Sequence, residues 1–128
     1  MMNNKKIIET KKAPQAIGVY SQGIEYNNLV FTSGQIPLTP EGKLIKDDFK
    51  TESIQVIKNI ESILNVAGSN LSNIIKITVY LTDLTLFPKL NEVFKQFFNN
   101  NPPARSVVEI KGLPMGARIE MEAIALKK

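Results

Sequence analysis

A chain of 128 residues with ordinary apolar content and a net charge of +4 can build one modest core but not two, so residues 1–128 are expected to form a single domain. Cysteine and histidine are both absent, which excludes disulfides, thiol nucleophiles, thiolate or imidazole metal sites and histidine-based acid–base chemistry. Any catalysis must use carboxylates, lysines, tyrosines, hydroxyls or backbone groups.

The opening segment MMNNKKIIETKK is basic, but neither a long apolar stretch nor a small-residue cleavage site follows it. It also lacks arginine, so neither a secretory nor a transit leader is expected. No apolar run approaches the roughly 20 residues of a membrane span. The expectation is a cytoplasmic protein with no membrane partner. Lysines are scattered, without a dense block or interleaved aromatics, which reads as a solvated surface rather than a nucleic-acid face. Only the first few residues and the final Lys127-Lys128 look loosely attached.

NLVFTSGQIPL (28–38) reads as a buried strand, interrupted by Ser33-Gly34 and stopped at Pro37, with the turn LTPEGKL after it. From about Asp48 to Ala67, Phe49, Val56, Ile60, Ile63, Leu64 and Ala67 recur at helical spacing, and Gly68 is placed to cap the end. NIIKITVYLTDL (73–84) alternates and is β-branched, as a central strand would be. Pro88 suits the first turn of a second helix, with Leu90, Phe94 and Phe97 on one face and Asn99–Asn101 with Pro102-Pro103 ending it. Two strands follow, Arg105–Ile110 and Arg118–Leu126, joined by KGLPMGA. This order predicts a two-layer α+β domain with both helices on one face of a mixed β-sheet. The other face needs a partner, and oligomerisation is the simplest way to bury it.

Candidate chemistry begins at Arg105, one of two arginines against fourteen lysines. It opens a strand after a rigid Pro-Pro step and shares a face with Val107 and Glu109. Its planar fork can grip a carboxylate with two parallel hydrogen bonds, which lysine cannot. Two readings stay open there: a ligand-binding fork, or a structural ion pair with Glu109 or another carboxylate. Glu120 lies in RIEMEAIAL, opposite the apolar face of Ile119, Met121, Ala123 and Ala125. It reads either as a general base or as a solvated surface glutamate. Tyr20, Ser33-Gly34 and Asn91 are individually weak, since amphipathic packing, a turn or bulge and a surface position are the usual readings of such residues.

Together, APQAIGVYSQG, FTSGQIPLTPEG, PPARSVVEI and IEMEAIAL, in this order and spacing, resemble the Rid family of reactive-intermediate deaminases, formerly YjgF or endoribonuclease L-PSP. The likeness runs from about Ile7 to Leu126 and is strongest to the RidA subfamily. The resemblance implies a chorismate mutase-like fold assembled as a homotrimer, with a site in each intersubunit cleft and no metal or other cofactor. It implies hydrolysis of reactive 2-imino and enamine acids to 2-keto acids and ammonia. Arg105 would hold the substrate carboxylate, and Glu120 would activate water. Tyr20, Ser33, the Gly34 amide and Asn91 would line the pocket. Val107 stands where many relatives carry cysteine or threonine, so only its backbone could take part. Two rival roles fit such a cleft: a non-catalytic sensor of small carboxylic or keto acids, and the RNA-cleaving or translation-inhibiting activity given to some relatives. The absence of histidine and of an arginine-rich patch speaks against the second.

Overall fold

A computed structural model describes residues 4–128. The elements follow as β1 (Lys6–Ile8), β2 (Gly23–Tyr26), β3 (Leu29–Thr32), α1 (Phe49–Val66), β4 (Ile74–Leu81), α2 (Phe87–Phe98), β5 (Ala104–Glu109) and β6 (Ile119–Leu126). The strands form one mixed sheet in the order β1-β2-β3-β6-β4-β5. Every neighbouring pair is antiparallel except β4 with β5, the two strands that α2 connects.

The helices form where the sequence supplies both a face and a stop. The Asp48 carboxylate accepts from the Thr51 amide at 2.9 Å and caps α1, and the same bond holds its pKa below the usual carboxylate value. Gly68, at φ 81°, takes the left-handed position just past the other end. Val56, Ile57, Ile60, Ile63 and Leu64 of α1 are buried together with Leu90, Val93, Phe94 and Phe98 of α2. Phe97, expected on the apolar face of α2 with Leu90 and Phe94, is only partly buried against the core, while Val93 and Phe98 complete that face.

Both helices cover the face presented by Val30, Ile77, Val79, Leu81, Ile119, Met121, Ala123 and Ala125. Alternation sends their neighbours to the other face. There, register aligns Ile7, Ile24, Phe31 and Ile124 into an apolar row. Thr78, Tyr80, Glu120 and Glu122 form a polar region beside it. The two-layer α+β architecture with one covered face is therefore as the periodicity implied.

The structure departs from the sequence reading in three places. β1 and β2 were not anticipated as strands. The 28–38 strand ends at Thr32, and Gln35 rejoins the sheet through two backbone bonds with Met121, at 2.8 and 3.0 Å. Ser33-Gly34 is the detour between them. Lys127 is not loose: its amide donates to the Asn28 carbonyl, and its ammonium pairs with Glu25 at 2.9 Å. Residues 1–3, the other segment expected to be loose, lie outside the described residues.

Two buried amides tie irregular segments to this frame. Gln22 donates from Nε2 to the Thr10 and Pro14 carbonyls at 3.0 and 2.7 Å, and its Oε1 accepts from the Thr10 amide at 2.7 Å. Asn59 of α1 donates to the Leu38 carbonyl at 2.8 Å and accepts from Gln55. Each replaces sheet or helix bonding for chain that has none, which is why a polar group is tolerated in the interior.

Candidate active site

The segments that Gln22 and Asn59 hold, 10–20 and 36–38, are walls of a cavity of about 500 Å³ above Glu120. Tyr20, Ser33 and Gly34 line it together, so the structure brings four of the seven candidate residues into one place. The Tyr20 hydroxyl accepts from the Ile17 amide at 3.0 Å, which fixes the ring against its own loop. The Ser33 hydroxyl donates to the Ser21 carbonyl at 2.5 Å, so toward a ligand it can act as an acceptor.

Glu120 is half-buried on β6. Burial, and then the negative charge of Glu122 two residues along the same face, raise its pKa above the ordinary glutamate value. Tyr80, its neighbour across β4, is raised as well, by burial and then by Glu122 and Glu120. A carboxylate so placed is a better proton acceptor near neutral pH than an exposed one.

Gly34 has a reason that its turn-like setting hides. A β-carbon there would overlap the Glu120 carboxyl group, coming within 2.7 Å of its Cδ. The glutamate side chain lies directly against the bare backbone. Gly34→Ala is therefore expected to displace the Glu120 carboxylate while costing the fold little, since Gly34 is exposed. The check is the acid limb of an activity–pH profile, which should shift, with thermal melting unchanged within about 1 kcal/mol.

Arg105 and Asn91 are elsewhere. They line a second groove of about 440 Å³ with Phe94, Phe98 and Pro103. The Arg105 guanidinium stacks on Phe94 at 4.7 Å and Phe87 at 5.2 Å, and Phe87, Asn91 and Phe94 follow at helical spacing on α2. Among the described residues it forms no ion pair, so the Glu109 alternative is not what the structure contains. Glu109 instead accepts from the Leu84 amide at 2.8 Å. Partial burial is the one influence on the Arg105 pKa, and it lowers it. The other arginine, Arg118, has the opposite environment: it donates twice to Glu52, both at 3.0 Å. Val107 packs against the core and lines neither cavity.

Arg105 and Glu120 thus stand on opposite faces of one sheet, two strands apart, about 10 Å along it. A single copy presents a carboxylate in a largely apolar pocket on one side and, on the other, a guanidinium with no ion pair among the described residues. The residues that sequence reasoning missed are the two that build the pocket walls, Gln22 and Asn59. Neither sits in a pattern that marks a buried amide.

This mixed sheet with both helices on one face is also the fold of solved relatives. The family described as Endoribonuclease L-PSP matches residues 10–127. The chain belongs to that family, the group also called Rid or YjgF. A RutC family protein of Pyrococcus abyssi is 49% identical over 97% of this chain and 98% of its own. TdcF of Escherichia coli, provisionally named a reactive intermediate deaminase, is 44% identical over 96% of this chain and 98% of its own. The crystal structure of TdcF with bound serine superposes with a TM-score of 0.91, covering 96% of this chain and 99% of that one. Arabidopsis thaliana Reactive Intermediate Deaminase A, a chloroplastic protein, is 43% identical over 94% of this chain and 65% of its own.

Proposed function

We propose that the protein is a cytoplasmic, single-domain imine deaminase of the RidA type. It hydrolyses 2-imino acids and their enamine tautomers, such as 2-aminoacrylate/2-iminopropanoate and 2-iminobutanoate, to 2-keto acids and ammonia. The observation that carries this reading is Arg105: a partly buried guanidinium, stacked on two rings and paired with no carboxylate among the described residues. A substrate carboxylate is the partner it lacks. The names of TdcF and of the Arabidopsis relative support the same reaction class.

The active assembly in this reading is a homotrimer in which the Arg105 groove of one copy meets the Glu120 pocket of the next. The fork fixes the carboxylate and so places the neighbouring C=N carbon over Glu120. Glu120 takes a proton from water as the water oxygen bonds to that carbon and the C=N π bond opens, and it passes that proton to the nitrogen to give a carbinolamine. The hydroxyl proton then moves through Glu120 to the same nitrogen as C=O forms and the C–N bond breaks, and ammonia departs. Tyr20, Ser33, the Gly34 amide and Asn91 orient substrate and water, with the Val107 backbone near the carboxylate end. No nucleic acid takes part.

Mixing two defective chains tests the assembly and the reaction together. Arg105→Ala and Glu120→Gln are each expected to be inactive on imines generated in situ by an amino-acid oxidase. Co-assembled trimers are expected to regain about one active site in three, because one junction then joins an intact arginine to an intact glutamate. Light scattering checks the trimer. No recovery in verified mixed trimers would place both residues' work within one chain and overturn the shared site.

A further inference from the structure

Met115 is held in a backbone conformation that L-residues seldom adopt, with φ 59° and ψ 16° inside the turn Pro114–Gly116. Gly116, which follows it, is also left-handed, at φ 73°. Glycine suits such a position, but an unbranched thioether pays for it in steric strain. Strain of this kind persists where the surroundings need the side chain in one place. Here that place is the rim of the Glu120 cavity, which the half-exposed Met115 lines with Ile17, Ile36, Leu38 and Pro114.

The lining limits what can enter. Glu120 is its sole ionisable carboxylate, and it contains no lysine or arginine. A substrate side chain ending in a carboxylate would find no cation on this chain, the neighbouring copy's Arg105 being engaged by the α-carboxylate, and one ending in an ammonium would engage the base needed for water. At about 500 Å³ the cavity has room beyond the smallest imino acids, and much of its wall is hydrocarbon and thioether. Methionine fills such space adaptably, because its side chain is unbranched and polarisable.

We propose that Met115 closes an apolar subsite for the substrate side chain, making the protein selective for 2-imino acids with extended aliphatic side chains over acidic or basic ones. This rests on the imine reading for the reaction, but the subsite itself can be measured by binding alone. Calorimetry with 2-oxo acids of increasing length, from pyruvate to 2-oxohexanoate, is the test. Affinity is expected to rise about fourfold for each added methylene, with 2-oxoglutarate binding no more tightly than pyruvate. Met115→Gly removes the side chain and suits the left-handed backbone, so it keeps the fold and should flatten the rise to below about twofold per methylene. Met115→Asn, which also tolerates that backbone, should flatten it likewise by presenting an amide. A residue that merely shaped the turn would shift every ligand equally and leave the slope. Length-independent binding in the wild type, a slope retained in Met115→Gly, or no binding of any 2-oxo acid would overturn the subsite. A normal slope without turnover of any imine would sink the reaction and leave the subsite standing.

Discussion

Arg105→Ala should lose imine hydrolysis by roughly 10² to 10⁴-fold in kcat/KM. Two hydrogen bonds between a guanidinium and a carboxylate contribute about 1.5–3 kcal/mol each, and their loss is felt before the chemistry begins. The fold should survive, because Arg105 forms no ion pair and its stacking on Phe87 and Phe94 is worth about 0.5–2 kcal/mol. Thermal melting should therefore drop modestly while activity collapses. Arg105→Lys separates charge from shape. An ammonium keeps the charge but loses the fork and the flat face that rests on the rings, so rescue should be poor. A lysine variant with the full rate would show that a point charge suffices, and an active alanine variant would remove the arginine from the site altogether.

The second large effect concerns Glu120. Glutamine preserves its size and one acceptor oxygen but takes no proton at neutral pH. Glu120→Gln should lower kcat by about a hundredfold or more, read as excess over spontaneous hydrolysis, while a 2-oxo acid still binds. The pH dependence has a definite sign. Burial and Glu122 raise the Glu120 pKa, and the base works only when ionised. Activity should therefore fall as pH drops through a value above the ordinary glutamate range. Glu122→Gln removes a like charge, so it should move that acid limb to lower pH without abolishing it. A limb unmoved by Glu122→Gln would leave burial as the sole cause. A wild-type rate in Glu120→Gln would pass the role to another group, with Tyr20 the next to test.

Periodicity revealed the parts of this fold that are long and one-sided. β6 alternates cleanly, β4 does so from Ile77 onward after an irregularity at Ile74–Lys76, and α1 repeats its apolar face over eighteen residues. β1 has three residues, too few to show a period, and β2 begins with a glycine that packs against Ile63 of α1. A signal for the β2–β3 hairpin was nonetheless present: Asn27-Asn28 sits between apolar runs, and Asn27 takes the left-handed conformation such turns require. Arg105 stood out by composition and Glu120 by its place on the polar side of an alternating strand. What alternation could not say is which sheet face each strand turns to the helices. That one chain holds the two residues back to back was therefore not legible from either strand alone. Gln22 and Asn59 were illegible for a different reason. A buried amide is defined by the carbonyls around it, and those come from loops with no pattern of their own.

The position of β6 bears on how the protein comes into being. It lies between β3 and β4 and bonds to both, yet it follows every other strand in chain order. During synthesis the earlier strands must wait with their pairing edges open until this last one leaves the ribosome, a delay typical of sheets closed by distant segments. Glu120 rides on that same strand. A nascent chain therefore brings Glu120 to its pocket in the same step that joins β3 to β4 and completes the sheet.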